Sequence, residues 1–258
     1  MTFTPNPNTL FHFTHDIDWL IPHHPVSILK TLSGKQWLHL PQLFRSDIFL
    51  RHAEDIFRFE STHGISTVNH IGIQKKVNTL RRTGIRYSYE STFLKEFISI
   101  CRLHKVQTGL HVNTLESIPF QVEQYIHLTG HTPEYIRTHY FSQLSKQQLH
   151  ELQALGVKYD FSAGGSTVIG ISNDSAHHPL SVIPTIISDN NFVRFKNHAD
   201  VFQKFDHVLQ SLVHKPQHVA VLIHPENLLA YPYLQEIYLR IIDTIKQYKF
   251  EFASHNSV

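Results

Sequence analysis

Two carboxylates stand two residues apart at the end of the first apolar run of the chain, in the segment Phe13-Thr-His-Asp-Ile-Asp18. Side chains two apart on a strand project to the same side, so a strand here places Asp16 and Asp18 on one face. Two neighbouring anions repel each other unless a cation or a shared proton intervenes. The pair therefore indicates a metal ligand beside a general base, with a turn and a helix-capping aspartate as the structural alternative.

Three further strand-like runs end in histidine, namely Val106–His111, Tyr135–His139 and Val219–His224. A neutral imidazole at the end of a strand can ligate a metal. Arg137, two residues before His139, can hold a carboxylate through paired hydrogen bonds. The chain contains 22 histidines, so the alternative for each of these is a hydrogen-bonded histidine without a catalytic or metal-binding role. The alternative for Arg137 is an ordinary salt bridge.

The elements that would position these residues alternate between short apolar runs and longer helical patterns. Strands are predicted at Leu10–Thr14, Ile65–Asn69, Val106–His111, Tyr135–His139, Val157–Phe161, Leu180–Ile183, Val219–His224 and Phe250–Ala253. Helices are predicted at Val26–Leu32, Phe44–Glu60, Ser91–His104, Phe120–Thr129, Ser145–Leu155, Ala199–His214 and Pro232–Tyr248. Ser145 and Gln148 have the spacing of a capping box, and Gly156 is placed to end the same helix.

This order predicts an α/β fold, a closed or nearly closed (β/α) barrel of seven to eight mostly parallel strands, formed as a single domain over residues 1–258. An open doubly wound sheet is the alternative, but no glycine-rich phosphate turn follows the first strand. Functional side chains of such barrels lie at the carboxyl ends of strands, which is where the carboxylates, the arginine and the three histidines fall.

Composition limits the partners. The 23 Lys and Arg residues nearly balance the 21 Asp and Glu residues, which argues against nucleic acid or an anionic membrane surface. No run approaches the ~18 apolar residues of a membrane span. The first residues lack the pattern of a secretory signal, and the single cysteine, Cys101, excludes an intrachain disulfide. We therefore expect a cytoplasmic protein; its oligomeric state is not predicted.

Taken together, the motifs resemble those of polysaccharide deacetylases (carbohydrate esterase family 4), especially a divergent branch that opens with His-Asp-Xaa-Asp. In chain order the segments that carry the resemblance are Phe13–Asp18, His63–Thr67, Gly109–His111, Arg137–Tyr140, Gly156–Asp160 and Leu222–Pro225. The resemblance spans most of the chain. It implies a distorted barrel that hydrolyses an N-acetyl or O-acetyl group on a sugar or oligosaccharide, with surface-polysaccharide biosynthesis as the expected setting.

The resemblance also implies residue roles. Asp16 is the general base and Arg137 positions it, whereas His224 is the general acid and Asp189 orients that histidine. Asp18 and His111 bind a divalent metal. Aspartate and histidine ligands suit Zn²⁺ best, with Co²⁺ or Ni²⁺ as alternatives, and suit Ca²⁺ less well.

The chain departs from the family pattern at Leu115, where many members have a second metal-binding histidine. We expect His139 to take the place of that ligand, with Glu116 as the alternative. The departure also leaves open a metal-independent amidohydrolase on the same barrel and a catalytically inactive sugar-binding relative.

Overall fold

The computed structural model describes residues 9–18, 47–75, 85, 87–142, 144–164, 180–194, 197–214 and 217–255. Its strands are β1 Leu10–Ile17, β2 Thr67–Gly72, β3 Gln107–Val112, β4 Tyr135–Thr138, β5 Tyr159–Asp160, β6 Ser181–Val182, β7 Thr185–Ser188, β8 His218–Ile223 and β9 Glu251–Phe252. Its helices are α1 Ile48–Thr62, α2 Thr92–Leu103, α3 Ile118–Thr129, α4 Lys146–Ala154, α5 Asp189–Arg194, α6 His198–His214, α7 Pro225–Ala230 and α8 Tyr233–Gln247. Short 3₁₀ turns follow β3 and β4, at Leu115–Ser117 and His139–Phe141.

The strands form one parallel sheet in the order β6-β5-β4-β3-β2-β1-β8-β7, and β9 pairs with β1. The two edges of the sheet meet just after β5. There Gly164 forms a parallel bridge with Thr185 of the edge strand β7, and the Thr185 N–H donates to the Ala163 carbonyl at 2.8 Å. The predicted (β/α) barrel is confirmed. It is irregular, since β5, β6 and β9 have only two residues each.

Strand β1 is buried along almost its whole length, and its two faces meet different surroundings. Phe13 packs toward the helices, with its ring 5.9 Å from that of Tyr238 in α8. His15 points the same way, with its Nε2 2.9 Å from Glu60 of α1. The side chains that alternate with these, Thr14 and Asp16, point into the barrel and accept hydrogen bonds from Arg137. The two-residue alternation predicted for the Asp16–Asp18 segment is therefore present.

Apolar side chains form two separate clusters. The main core lies between the sheet and the helices; in α8 the residues Leu234, Ile237, Ile241 and Ile245 are buried in it, as their spacing of three to four residues predicts. A smaller cluster consists of Val68, Tyr135, Phe161, Ile183 and Ala220. Val68, Tyr135 and Ala220 lie in strands, whereas Phe161 and Ile183 directly follow β5 and β6. They fill the barrel below the polar side chains at its carboxyl end.

Local signals in the sequence match the structure where they involve neighbouring residues. Ser145 caps α4 in a capping box with Gln148, and Gly156 adopts the left-handed φ of +95° just after it. Strand β7 and the short helices α5 and α7 were not predicted. Pro184 interrupts the run that contains β6 and β7, which conceals the second strand because proline is rarely found inside one.

The predicted helix Val26–Leu32 lies outside the described residues, as does the start of the predicted helix Phe44–Glu60. Across the described part of the chain, no helix combines the length and the apolar character that crossing a membrane requires.

Candidate active site

Three donor atoms converge at the carboxyl ends of β1, β3 and β4. His111 Nε2 lies 2.8 Å from His139 Nδ1 and 3.6 Å from Asp18 Oδ1, and His139 Nδ1 lies 3.9 Å from the same oxygen. Ligand atoms bound at ~2.0–2.1 Å around a tetrahedral ion are roughly 3.3–3.4 Å apart. Within the described residues, these three form the group of His, Cys, Asp or Glu side chains whose donor atoms all lie within 4.8 Å of one another.

The chemistry of this group fits a divalent cation. Burial lowers the pKa of His111, although Asp16 and Asp18 oppose the shift. Burial also lowers the pKa of His139, to about 4. Both imidazoles are therefore neutral at pH 7, which is the protonation state that metal ligation requires. Two neutral ring nitrogens and one carboxylate are a donor set that zinc accepts.

Asp16 lies next to this group, and every contact that the described residues make with its carboxylate goes to Oδ1. This oxygen accepts a hydrogen bond from Arg137 Nη1 at 3.0 Å and lies 3.5 Å from His70 Nδ1 and 3.9 Å from His111 Nδ1. Burial alone would raise the pKa of Asp16, but the Arg137 guanidinium, followed by the surrounding histidines, holds that pKa well below its usual range. Asp16 is therefore a carboxylate at neutral pH.

Arg137 is 1% exposed, and its guanidinium is hydrogen-bonded on all sides. Its Nη1 donates to Thr14 Oγ1 at 2.9 Å as well as to Asp16. Its Nε donates to the Phe161 carbonyl at 3.1 Å, and its Nη2 donates to Thr185 Oγ1 at 3.0 Å. These contacts reach β1, β7 and the end of β5, so the barrel wall itself fixes the arginine.

His224 follows β8 and is held by Asp189, the first residue of α5. The Asp189 Oδ1 atom lies 2.7 Å from His224 Nδ1, and its Oδ2 atom accepts the His224 backbone N–H at 3.1 Å and Asn227 Nδ2 at 2.8 Å. Burial lowers the pKa of His224, but the Asp189 carboxylate outweighs it and raises the pKa to about 10. His224 is therefore an imidazolium at neutral pH and a proton donor.

The structure brings the predicted site residues together. Asp16, Asp18, His111, Arg137 and His139 form one cluster by the distances above, and Asp189 pairs with His224. The two groups are close enough for the Asp18 carboxylate to raise the pKa of His224 and for the His224 charge to lower that of His139.

Of the other residues considered for the site, Leu115 lies in the 3₁₀ turn after β3 and packs against the main apolar core. The side chain of Glu116 lies outside the part of the structure that is described.

Sequence reasoning missed three buried residues at the site. His70 faces Asp16 from β2, one residue beyond the predicted run Ile65–Asn69. The Tyr87 hydroxyl donates to the Ile17 carbonyl and accepts the Gly72 N–H, both at 2.7 Å, and so ties the end of β1 to the end of β2. Glu226 is buried and helps to raise the pKa of His224. Only His70 carried a signal, since extending its strand by one residue places it on the inward face.

No protein-family model and no curated protein sequence matches the chain. A proposed polysaccharide deacetylase from Mycobacterium smegmatis is similar in structure, with 9% identity and a TM-score of 0.51 over 99% of this chain and 96% of that one. A polysaccharide deacetylase from Bacillus cereus has 11% identity and a TM-score of 0.47, over 96% of this chain and 92% of that one. A CE4 family pseudoenzyme from Bacillus anthracis has 11% identity and a TM-score of 0.44, over 98% and 67%. At such identities the M. smegmatis likeness concerns the fold, which is a deacetylase-type barrel.

Proposed function

We propose that the protein is a metal-dependent hydrolase that removes an acetyl group from an N-acetylated or O-acetylated sugar. The observation that carries the proposal is the convergence of Asp18, His111 and His139 beside the Asp16 carboxylate, with donor atoms no more than 3.9 Å apart. The fold supports it, because the M. smegmatis protein with a similar barrel is itself a proposed polysaccharide deacetylase.

Asp18, His111 and His139 would hold the ion, which we propose to be Zn²⁺, with Co²⁺ or Ni²⁺ as substitutes. Three protein ligands leave a coordination position open to water. When bound, the ion supplies Lewis acidity, which lowers the pKa of water toward ~7 and stabilises negative charge on the acetyl oxygen.

Asp16 takes the proton of the attacking water as the water oxygen bonds to the acetyl carbon. Its low pKa keeps it ionised, so the carboxylate is in the unprotonated form that a base needs. Arg137 holds Oδ1 at 3.0 Å, so Oδ2 remains for the water. This division lets one carboxylate oxygen be fixed while the other reacts.

His224 supplies the proton that the leaving nitrogen or oxygen needs when the acetyl bond breaks. The products are acetate and the free amine or hydroxyl of the sugar. Asp189, at 2.7 Å from Nδ1, keeps the imidazole charged and fixes its ring. The environments of Asp16 and His224 thus push their pKa values apart, so that at neutral pH Asp16 is deprotonated and His224 protonated, the starting states that a base and an acid require.

The finer parts of the proposal are the divergent His-Asp-Xaa-Asp branch of the family, a cytoplasmic location and a step in surface-polysaccharide biosynthesis. A sugar as the substrate is a further part of the proposal. Tyr233 is 37% exposed, and its ring stacks on that of His198 at 5.6 Å between centroids and lies 5.8 Å from that of Tyr231. This aromatic group is partly open to solvent, so its exposed edge is a surface that a sugar ring can contact.

Acetate release tests the proposal. The protein is stripped with a chelator, reloaded with Zn²⁺ and assayed on N-acetylglucosamine oligomers and on O-acetylated sugars. We expect zinc to restore activity, Asp16→Asn to reduce kcat by ~10²–10⁴-fold, and Asp243→Asn, at an exposed site on α8, to leave it unchanged. Zinc-loaded protein that releases no acetate from either substrate class, or an Asp16→Asn variant with parental activity, would contradict the proposal.

A further inference from the structure

His70 is a buried imidazole for which the reaction described above has no role. It is 0% exposed, and it is the register partner of Asp16 on the neighbouring strand. Its Nδ1 lies 3.5 Å from Asp16 Oδ1. Neither ring nitrogen completes a well-formed hydrogen bond within the described residues, where the nearby acceptors are Asp16 Oδ1 and the His15 backbone carbonyl. A buried polar group without a partner costs free energy that an apolar side chain would avoid, so its presence calls for an explanation.

The barrel makes room for this ring in particular. Gly109 is the register partner of His70 on β3, and a Cβ atom at Gly109 would lie 2.8 Å from His70 Cδ2 and 3.0 Å from Tyr135 Cβ. On another side Phe161 meets the imidazole edge to face, with centroids 5.4 Å apart. Strand register and packing therefore fix the place of the ring beside Asp16.

The ring is neutral. Burial, followed by the charge of Arg137, lowers the pKa of His70 well below its usual value, against the opposing effects of Asp16 and of the His15 backbone carbonyl. A neutral imidazole carries a single N–H, on one nitrogen or the other. The carboxylate oxygen beside Nδ1 is charged and is the stronger of the two nearby acceptors.

From this geometry we infer that His70 is a positioning residue: its Nδ1–H joins Arg137 in holding Oδ1 of Asp16, which leaves Oδ2 to take the proton. This inference rests on the proposed function for the role of Asp16. The present 3.5 Å is longer than a formed hydrogen bond. Catalytic hydrogen bonds are often long without substrate and tighten in the complex.

The tautomer of His70 gives a test that needs no activity. In protein labelled with ¹⁵N-histidine, two-bond ¹H–¹⁵N correlation spectra show which ring nitrogen carries the proton, and His70→Asn identifies the resonances. We expect the Nδ1–H tautomer and a shift of that proton when Asp16→Ala removes the acceptor. An Nε2–H tautomer, or a His70 ring-proton signal that does not shift in Asp16→Ala, would overturn the inference even if the protein deacetylates sugars.

Kinetics of the zinc-loaded protein test the consequence. His70→Leu removes both nitrogens, whereas His70→Asn keeps a donor at the position of Nδ1. We expect His70→Leu to lower kcat ~10–100-fold with KM and zinc content unchanged, and His70→Asn to stay within about threefold of the parent. A parental kcat in His70→Leu would show that the reaction does not need the ring nitrogens. Equal losses in both variants would show that only the packing of the ring matters. Either result would overturn the inference. If the parent releases no acetate, the proposed function fails and the tautomer alone decides the role of His70.

Discussion

Replacing Asp189 by asparagine removes the charge that keeps His224 protonated. In the parent, the Asp189 carboxylate raises the pKa of His224 to about 10 in spite of burial, and it lies 2.7 Å from Nδ1. The amide oxygen of asparagine can still accept the Nδ1–H. Its NH2 group, however, would face the His224 backbone N–H and Asn227 Nδ2, which Oδ2 accepts in the parent, so the variant also loses these two hydrogen bonds. Without the negative charge, burial is opposed only by the weaker effects of Glu226 and Asp18, and the pKa of His224 falls toward its ordinary value of 6.5.

The size of the effect follows from the two pKa values. With a pKa of about 10, roughly 99% of His224 is protonated at pH 8, and with a pKa of 6.5 only about 3% is. A step that needs the imidazolium therefore slows by up to ~30-fold at pH 8. A general acid works below its pKa, so the alkaline limit of activity moves to lower pH. The deficit shrinks on acidification, because the variant regains its proton.

The assay is kcat/KM for acetate release from pH 5 to 9.5, measured for the zinc-loaded parent, Asp189→Asn and the exposed control Asp243→Asn. We expect the control to follow the parent throughout. An Asp189→Asn variant with the parental pH profile would refute the assigned role. So would a loss that is equal at every pH, because it would show that Asp189 fixes the shape of the site and not the charge of His224.

Two further predictions concern stability. Glu60 is 1% exposed and pairs with His15 at 2.9 Å, so Glu60→Gln should lower the free energy of unfolding by ~3–5 kcal/mol while the exposed control Glu123→Gln changes it little; a loss in urea unfolding below ~1 kcal/mol would contradict this. Burial lowers the pKa of His12 to about 3 and that of His255 to about 4. In this pH range the unfolded chain therefore binds protons at these two histidines that the folded chain does not bind. The free energy of unfolding should decline as pH falls from ~6.5 toward 4, by on the order of 1.4 kcal/mol per pH unit for each histidine. His12→Asn should make the free energy of unfolding, measured in urea, depend less steeply on pH. An unchanged pH dependence in this variant would contradict the assigned effect of His12.

The local parts of the structure were predictable because neighbouring residues determine them. The two-residue alternation of β1, continued one residue past its end at Ile17, puts Asp16 and Asp18 on one face, and the capping box at Ser145 needs only two residues three apart. The barrel follows from the order of strands and helices. The sequence favours His139 as a ligand because Leu115 offers none, and in the structure His139 lies beside His111 even though β4 ends one residue before it.

The remaining parts depend on contacts between distant segments. His70 meets Asp16 only through the register of β1 and β2, and the reason for Gly109 appears only once the ring of His70 is in place. Tyr87 reaches the end of β1 from a segment with no periodic pattern. Strand β7 is hidden by Pro184, yet it supplies the Thr185 hydroxyl that holds Arg137. The two partners of each of these contacts lie far apart in the sequence, so a pattern of neighbouring residues cannot predict them.

Metal content tests the central claim most directly. The protein is purified without an affinity tag, dialysed against Zn²⁺ and then against buffer, and analysed for zinc beside Asp18→Ala, His139→Ala and the exposed control His131→Ala. We predict close to one zinc per chain in the parent and in His131→Ala, and a loss of zinc in the other two. A parent that stays free of zinc, or a His139→Ala variant that keeps its full zinc content, would contradict the metal centre described above.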